Sequence, residues 1–522
     1  MAYFAYDFGL RVSPVLEVLD VPLKRPVVAD RDAFMESGVE FGYKGQQVNS
    51  IIVDIITLTP GMGPRSQVVS MYQGLTEMGL PTNIDIHCIE TETNTNGYHA
   101  ELPEPDVKVD MNGEIGIPGM QMRVEEAYYN LFRNILDQKK IKEGAQEKYI
   151  FGIAGVGYEG ITEVAVTNSL GYLEAEGYNV GAVTVEFDST YNAGFDPSLE
   201  TDDEGFPLDA CHPQNYKGHD TNRVWQVSAN TFAPDATLIA HAAGESDYIA
   251  GGTHPFPESK IAELRQIADI DKSQARREMV AIYRELDDKE LCGLFEDTDR
   301  KVVTIAANNE YYSGEQGMGR KFLTDEQVDQ VLEGSRRIIQ SLALAFGDRK
   351  GLVFVPEPML GLVDEFKAYN PYFLQNVVFK VAPRIKPDQM KWRYASSDLY
   401  ISRTTQMNGT KEAAIAGLPV LVMNMPGNNF MYADIHDANT SIVPTYESQT
   451  EVFDPIPMAQ DIWDRLFDDR DNIKTIVDGQ VNNVIRANAD PAANIFSIIR
   501  HAFGIEAITP ERIAEYERQY VA

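Results

Sequence analysis

The segment SSDLYISRTTQMNGTKEAAIAGLPVLVMNMP, residues 396–426, decides the fold of the second half of this chain. Its pattern predicts a short strand at 398–402, a polar turn, a helix that opens at Gly409, and a second strand at 419–423. Gly417 stands where the short helix is expected to stop. The segment therefore predicts a β-α-β unit.

The start of this helix is a candidate binding site. The first N–H groups of a helix have no partner within it and its dipole places partial positive charge there, so an anion such as phosphate is stabilised at this end. We expect Glu412 just inside the first turn, where its carboxylate can accept hydrogen bonds from sugar hydroxyls. Thr410 either caps the helix or contacts phosphate. The plain alternative for Glu412 is that the dipole alone favours an acidic residue there.

The composition is that of a large, acidic, globular protein. Its 522 residues suggest two domains, and 43% hydrophobic residues are enough to pack them. A formal net charge of −34 should repel nucleic acid and anionic membranes, which favours a small or neutral partner, although such acidity is also typical of salt-rich settings. The 3 separated cysteines match no zinc spacing and fit a reduced cytoplasm. No apolar run approaches the roughly 18 residues of a membrane span and no leader pattern is seen, so we expect a soluble cytoplasmic protein.

Strands and helices alternate in two successive blocks. Polar stretches at 91–120 and 188–222 are interpreted as insertions in the first block. The alternation predicts an α/β protein with two Rossmann-like, doubly wound parallel sheets, whose ligands bind at the carboxyl ends of the strands in a cleft between the domains. The predicted parts are an N-terminal extension at 1–47, a first domain at 48–257, linker helices at 258–299, a second domain at 300–500 and a C-terminal helix at 501–522.

Four features of the second block follow one another in order. They are a strand at 302–307 with a loop through GEQGMG (314–319), then YASSDLYISR (394–403), GTKEAAIAGLP (409–419) and PGNNFMYA (426–433). Together they resemble the C-terminal, donor-binding domain of GT-B glycosyltransferases, especially the branch that contains the peptidoglycan GlcNAc transferase. In that family the third feature has the form G-x-x-T-x-x-E-x-x-x-x-G-x-P, and its Glu typically binds the nucleotide ribose, which implies this role for Glu412. This chain departs from the form because its glycine stands directly before Thr410, and asparagines stand where glutamines often do.

The resemblance implies a nucleotide-sugar site made of loops and the helix start. Backbone amides of the glycine-rich loop, with the basic residue after it, would surround the donor phosphates, and an arginine at the end of the strand before the helix would offset their charge. A surface turn and a surface salt bridge are the alternatives for these two elements. The predicted donor-binding residues are Gly314, Gly317, Gly319, Arg320, Arg403, Gly409, Thr410, Glu412, Asn428 and Asn429.

The first domain is expected to supply the acceptor side and a general base. His241 follows a predicted strand, with Glu245 and Asp247 close behind it as orienting carboxylates, although a lone histidine is more often structural. Two glycine turns after strands are interpreted as lining the acceptor, and the arginine of the first either contacts an anionic group or lies on the surface. These acceptor-side residues are Gly61, Gly63, Arg65, Gly155, Gly157 and Gly160.

The turn at 155–160 also fits the G-x-G-x-x-G pattern of dinucleotide-binding proteins. Glu186 and Asp188, however, come later than the offset of about 20 residues expected for a ribose contact, and another β-α-β unit precedes the turn. We therefore favour an acceptor-side turn over NAD(P) binding. Glu357 and Glu365 have the spacing of the E-x7-E signature of retaining glycosyltransferases but not its place, and this weakly favours inversion.

The sequence thus predicts a glycosyltransferase that moves a sugar from a nucleoside diphosphate sugar, with a UDP-sugar as the expected donor, to the hydroxyl of a small-molecule or glycan acceptor. Neither block resembles a D-x-D metal site, so neither a metal nor another cofactor is expected. The alternatives are a nucleotide-sugar 2-epimerase of the same fold, a transferase acting on modified DNA, and a nucleotide-binding protein without catalysis.

Overall fold

Two compact units make up the chain, and each is built around its own sheet. The first consists of Met1–Pro257 with Ala487–Ala522, and the second of Glu258–Arg486. In the part of the chain that is described, no helix is long and apolar enough to cross a membrane. The structure, a computed structural model, describes residues 27–28, 41–55, 62–92, 105–110, 117–156, 161–187, 224–229, 248–250, 256–306, 325–383, 385–402, 408–424, 445–447, 454–467, 470–489 and 495–520.

The described strands of the first unit form one parallel sheet. They are β1 (Val27–Val28), β2 (Ser50–Ile55), β3 (Asp85–Glu92), β4 (Val107–Asp110), β5 (Tyr149–Val156), β6 (Val180–Phe187), β7 (Val224–Ala229) and β8 (Tyr248–Ala250). Their spatial order is β1-β8-β7-β6-β5-β2-β3-β4, and every pairing is parallel. The chain moves outward in one direction from β2 and in the other from β5, which is the topology of a doubly wound sheet.

Both faces of this sheet are covered by helices. Ile51 and Val53 point to one face and pack in a core with residues of α1 (Met62–Glu77). Ile52 points to the other face and packs with residues of α2 (Ile117–Gln138) and α3 (Ile161–Ala175). Because both faces are buried, the central strands are mostly apolar rather than alternating, as parallel strands are expected to be.

The end of the chain returns to the first unit. Of the helices α13 (Ile495–Ala502) and α14 (Pro510–Tyr520), α13 places Phe496 against Gly74 of α1, where a Cβ atom would meet the ring. The Arg500 side chain donates to the Gly79 carbonyl at 2.9 Å. Residues 487–500, predicted in the second domain, therefore belong to the first unit. Their apolar face resembles that of any helix of the second block, so the sequence pattern did not reveal this return.

The described strands of the second unit also form one parallel sheet. They are β9 (Lys301–Ile305), β10 (Gly351–Val355), β11 (Val377–Val381), β12 (Leu399–Ser402), β13 (Val420–Asn424) and β14 (Thr445–Glu447). Their order is β11-β10-β9-β12-β13-β14, and every pairing is parallel. Numbered within the unit, this is the 3-2-1-4-5-6 order of dinucleotide-binding sheets, with the chain order reversing between β9 and β12. The predicted α/β class with two doubly wound parallel sheets is confirmed.

Helices cover this sheet as well. One face packs against α7 (Asp325–Phe346), α8 (Glu357–Tyr369) and α11 (Pro455–Phe467). The other helices of the unit are α4 (Glu258–Ala268), α5 (Lys272–Glu285), α6 (Lys289–Glu296), α9 (Met390–Ser396), α10 (Asn408–Ile415) and α12 (Arg470–Ala489).

The segment 258–299, predicted to be a linker, is packed into the second unit. Met279 and Tyr283 of α5 lie in one core with Phe354 of β10. The Arg276 guanidinium donates to the backbone carbonyls of Asp297 and Arg300 at 3.1 and 2.6 Å. The high charge of this segment suggested a solvated linker, but its apolar residues recur on one helical face and cover the sheet.

Two other predicted boundaries also differ from the structure. The predicted insertion at 91–120 contains β4, which pairs with β3, and the beginning of α2. The residues of β4, VKVD, alternate apolar and polar positions, but over only four residues within a stretch rich in Thr, Asn, Pro and Gly. In the predicted extension at 1–47, β1 pairs with β8 and the Tyr43 side chain is buried in the core. The second predicted insertion, 188–222, lies outside the described residues.

Candidate functional site

The helix α10 lies beside the place where strand order reverses in the second sheet. It connects β12 to β13, which are neighbours, and β12 is also the neighbour of β9. A helix that follows a parallel strand begins at that strand's carboxyl end, so the N-terminus of α10 lies at the edge where such sheets bind ligands. The predicted β-α-β unit is present at the predicted place in the chain.

The end of α10 is fixed by backbone hydrogen bonds around Gly417. Its φ of +82° is in the region that glycine adopts without a steric penalty, and its N–H bonds to Ala414 O at 3.1 Å. The next N–H, that of Leu418, bonds to Ala413 O at 3.0 Å. This pair of bonds is the Schellman arrangement, in which the last carbonyls of a helix find donors. The predicted stop at Gly417 is therefore explained.

The start of α10 differs in detail from the sequence prediction. The helix begins at Asn408, so Glu412 is its fifth residue and lies in the second turn rather than the first. The Thr410 side chain is buried, and its Oγ1 lies 2.6 Å from Ser402 Oγ of β12. A Cβ atom on Gly409 would lie only 2.8 Å from Tyr400 Oη. Packing thus accounts for Thr410 and Gly409, because both let the helix approach the strand closely.

The Glu412 carboxylate is held from two sides and is partly open to solvent. Tyr394 Oη of α9 donates to Glu412 Oε2 at 2.8 Å. On the other oxygen, Oε1, the Lys260 ammonium of α4 lies 3.9 Å away. The Glu412 side chain keeps 25% of its surface exposed. An oriented carboxylate with exposed surface can accept hydrogen bonds from ligand hydroxyls without first reorganising.

Burial and charge act in opposite directions on this carboxylate. Burial raises the pKa of Glu412 above its usual value, while Lys260 and the Tyr394 hydroxyl lower it and Glu263 raises it further. Burial, together with Glu412, raises the pKa of the Tyr394 phenol well above its usual value. The Tyr394 phenol is therefore favoured in its protonated form, which donates the hydrogen bond to Glu412.

Most of the other predicted site residues lie outside the described residues. This holds for the glycine-rich loop, the arginine after β12, the two asparagines and the proposed base with its carboxylates, and their predicted roles stay predictions. The residues concerned are Gly314, Gly317, Gly319, Arg320, Arg403, Asn428, Asn429, His241, Glu245 and Asp247.

The predicted acceptor-side residues are only partly described. Gly63 and Arg65 lie in the first turn of α1. Gly61, Gly157 and Gly160 lie outside the described residues. Gly155 is part of β5 rather than of the turn after it.

Gly155 also has a structural cause of its own. It stands directly opposite Asp54 of β2, and a Cβ atom on it would lie 2.7 Å from Asp54 Cβ. The Asp54 carboxylate is buried and accepts hydrogen bonds from Tyr128 Oη and, at 3.0 Å, from Thr162 Oγ1. The first glycine of the G-x-G-x-x-G pattern is thus explained by its neighbour in the sheet.

Sequence reasoning missed three residues that matter here. Tyr394 lies in a quoted motif but received no role, and Lys260 belongs to a segment interpreted as a linker. Asp54 had a visible signal, because a charged residue in the apolar strand SIIVDI must find partners when both faces are buried. Nothing in the sequence indicates the contact between Lys260 and Glu412, because the two residues are 152 positions apart.

Among the described residues, no group of three or more His, Cys, Asp or Glu side chains is placed to hold a metal ion.

Comparison with known proteins gives similarity in structure only. No family model and no curated protein matches the chain. A glycosyltransferase from Rickettsia africae is similar over 91% of this chain and 99% of its own, with 12% identity and a TM-score of 0.46. Sucrose-phosphate synthase from Thermosynechococcus elongatus is similar over 86% and 96%, with 11% identity and a TM-score of 0.45. The UDP-GlcNAc 2-epimerase from Methanocaldococcus jannaschii is similar over 83% and 92%, with 13% identity and a TM-score of 0.37.

Proposed function

We propose that the chain is a nucleotide-sugar-dependent glycosyltransferase of the GT-B type, whose second unit binds the nucleoside diphosphate sugar at α10. The observation that carries the proposal is the oriented, partly exposed Glu412 carboxylate beside the reversal of strand order. In this proposal the carboxylate accepts hydrogen bonds from the two ribose hydroxyls. The N–H groups at the start of α10 face the diphosphate, where the helix dipole also favours negative charge.

The reaction would transfer the sugar from diphosphate to an acceptor hydroxyl. The bond between the sugar's anomeric carbon and the phosphate oxygen breaks, the acceptor oxygen bonds to that carbon, and a general base takes the acceptor proton. Charge that develops on the departing diphosphate is stabilised by oriented N–H groups and by the basic residues of the second unit. The proposal has five further parts. His241 acts as the base, and Arg403 and the 314–319 loop bind the phosphates. The reaction inverts the anomeric configuration, needs no metal and uses a UDP-sugar as donor.

Ligand-induced thermal shifts test the nucleotide site. A ligand that binds only the folded state at 100 times its Kd stabilises that state by about 2.7 kcal/mol, which raises Tm measurably. We expect UDP or GDP, or a sugar conjugate of one of them, to raise Tm, and Glu412→Gln to abolish the shift. Glu365→Gln, which changes an exposed carboxylate of the same unit, is the matched control and should leave the shift unchanged. A shift that survives Glu412→Gln would refute the role of Glu412.

Incubation with the preferred nucleotide sugar alone separates transfer from epimerisation. An epimerase converts the sugar without an acceptor, whereas a transferase gives at most slow hydrolysis. A nucleotide-binding protein without catalysis would leave the sugar unchanged even with a broad panel of acceptors. Conversion in the absence of acceptor would therefore replace the proposed transferase by the 2-epimerase alternative.

A further inference from the structure

Tyr394 reaches Glu412 from a rigid position. It lies in α9 and is 5% exposed, and its ring packs at 6.4 Å from the ring of Tyr400. Its hydroxyl donates to Glu412 Oε2 at 2.8 Å. Because the ring is buried, the position of this donor is fixed by packing and not by the ligand. A carboxylate that accepts such a bond loses rotational freedom about its last side-chain bond.

Lys260 approaches the same carboxylate from another helix. Its Nζ lies 3.9 Å from Glu412 Oε1 and 3.5 Å from Glu263 Oε2, and 32% of its side chain is exposed. A separation of 3.9 Å is too long for a direct hydrogen bond but close enough for a substantial electrostatic effect. A ligand hydroxyl placed beside the two groups could bridge them, because it can donate to Oε1 and accept from Nζ at ordinary hydrogen-bond lengths.

We propose that Tyr394 positions Glu412 in the nucleotide site and that Lys260 binds the ligand beside it: Tyr394 fixes Oε2 of Glu412, which turns Oε1 toward the ligand, and the Lys260 ammonium donates to the oxygen of the same hydroxyl that donates to Oε1. This inference rests on the proposed function. It adds a specific demand on the ligand, since the group between Oε1 and Nζ must both donate and accept a hydrogen bond. A hydroxyl meets that demand, whereas a hydrogen or a methoxy group at the same position does not.

The arrangement also makes binding depend on pH in a defined direction. The charged or titratable groups that face Glu412 are Lys260 and Glu263 of α4 and Tyr394 of α9. Lys260 and Tyr394 hold the pKa of Glu412 down against burial and Glu263. Removing either should raise this pKa, so the protonated form, which binds a diol poorly, should persist to higher pH.

The test compares four variants by calorimetric titration with the nucleotide that shifts the wild type, from pH 5 to pH 8. Tyr394→Phe keeps the ring and removes the hydroxyl, and Lys260→Gln keeps the length and removes the charge. We expect Kd at pH 7 to rise about tenfold for Tyr394→Phe and about threefold for Lys260→Gln, and the acid midpoint of binding to move upward in both. Lys260→Arg should restore most of the affinity. Tyr446→Phe removes another tyrosine hydroxyl that donates to a carboxylate in the second unit, and is the matched control.

Four negative outcomes are distinguishable. If Glu412→Gln abolishes binding but Tyr394→Phe and Lys260→Gln bind like the wild type at every pH, the roles of Tyr394 and Lys260 are refuted while the proposed function stands. Tyr394→Phe and Lys260→Gln may also lower Tm without moving the acid midpoint of nucleotide binding, which is the result expected of the control Tyr446→Phe. Their role would then be structural, and the inference would again be refuted. If the wild type binds no nucleotide, the proposed function fails and this inference fails with it. Binding of the 2′-deoxy and 3′-deoxy nucleotides with unchanged affinity would refute the demand for a hydroxyl beside Lys260.

Discussion

Each of the two parallel sheets has a carboxylate beside its reversal of strand order, but the two carboxylates are placed differently. In the first unit the carboxylate belongs to Asp54, which lies on a central strand and is 1% exposed. In the second it belongs to Glu412, which lies on the helix after a central strand and is 25% exposed. Asp54 is surrounded by hydroxyl donors of α2 and α3 and serves packing, whereas Glu412 is oriented by its neighbours and still reaches solvent.

The helices at these two places are equivalent in topology and begin in similar ways. Thr162, the second residue of α3, donates to Asp54 in the neighbouring strand, and Thr410, the third residue of α10, bonds to Ser402 in the preceding strand. In both units a threonine thus ties the helix start to the sheet. The difference shows that topology alone does not make a binding site. A carboxylate within the strand is buried and hydrogen-bonded to the core, whereas a carboxylate one turn along the helix is partly exposed and can bind a ligand.

Removal of the Asp54 carboxylate should have the largest effect. Asp54→Ala leaves the buried hydroxyls of Tyr128 and Thr162 without this acceptor, and each loss costs about 1–3 kcal/mol. We expect the free energy of unfolding of the first unit to fall by about 3 kcal/mol, measured by urea denaturation. Asp137→Ala, which removes an exposed carboxylate paired with Arg133, should change it by less than about 0.5 kcal/mol. Equal effects of the two variants would show that Asp54 has no special place in the packing.

Gly155→Ala should have the next largest effect, because the new Cβ meets the Asp54 side chain and backbone oxygen at 2.7 and 3.1 Å. Overpacking of this kind costs about 1–3 kcal/mol, and we expect about 2 kcal/mol by the same measurement. Gly293→Ala is the matched control, since nothing lies within 4 Å of its Cβ position in α6. That substitution should stabilise by about 0.5–1 kcal/mol through helix propensity. A harmless Gly155→Ala would show that the approach of Asp54 does not require a glycine at this position.

The same two regions show which parts of the structure were visible in the sequence. The β-α-β unit around α10 and its glycine stop were predicted because each has a local pattern, namely apolar strands, a short periodic helix and a Gly417 that adopts positive φ. The partners of Glu412 were not, since Lys260 and Tyr394 come from separate helices that only tertiary packing brings together. For the same reason the return of α13 to the first unit could not be predicted. The G-x-G-x-x-G pattern at 155–160 suggested a turn that contacts a ligand, whereas its first glycine, Gly155, is required by the close approach of Asp54 in the neighbouring strand.

Gly409→Ala should have a smaller effect that depends on one atom. The new Cβ would lie 2.8 Å from Tyr400 Oη but 3.8 Å from Tyr400 Cζ, which is ordinary contact. We expect the substitution to destabilise the second unit by about 1 kcal/mol in the wild type, and to be neutral or slightly stabilising in a Tyr400→Phe background. A double-mutant cycle on the free energy of unfolding checks the change of sign. Gly361→Ala, with nothing within 4 Å in α8, is the control for helix propensity. If Gly409→Ala destabilises the Tyr400→Phe variant as much as the wild type, the steric conflict does not involve Tyr400 Oη.

Glu412→Gln should have the smallest effect on stability, and its sign distinguishes an available carboxylate from one used in packing. Because the pKa of Glu412 is raised in the folded protein, ionisation is disfavoured there. Its contribution to stability is therefore fully present below the pKa of the unfolded chain and is lost as the pH rises through the folded pKa. We expect wild-type Tm, relative to that of Glu412→Gln, to be highest at acid pH and to decline toward pH 7, where the variant is as stable as the wild type or more so. Glu365→Gln controls for the change in net charge. A wild type that gains over Glu412→Gln as the pH rises would mean that the ionised carboxylate stabilises the fold, as expected for a packing residue and not for one held ready for a ligand.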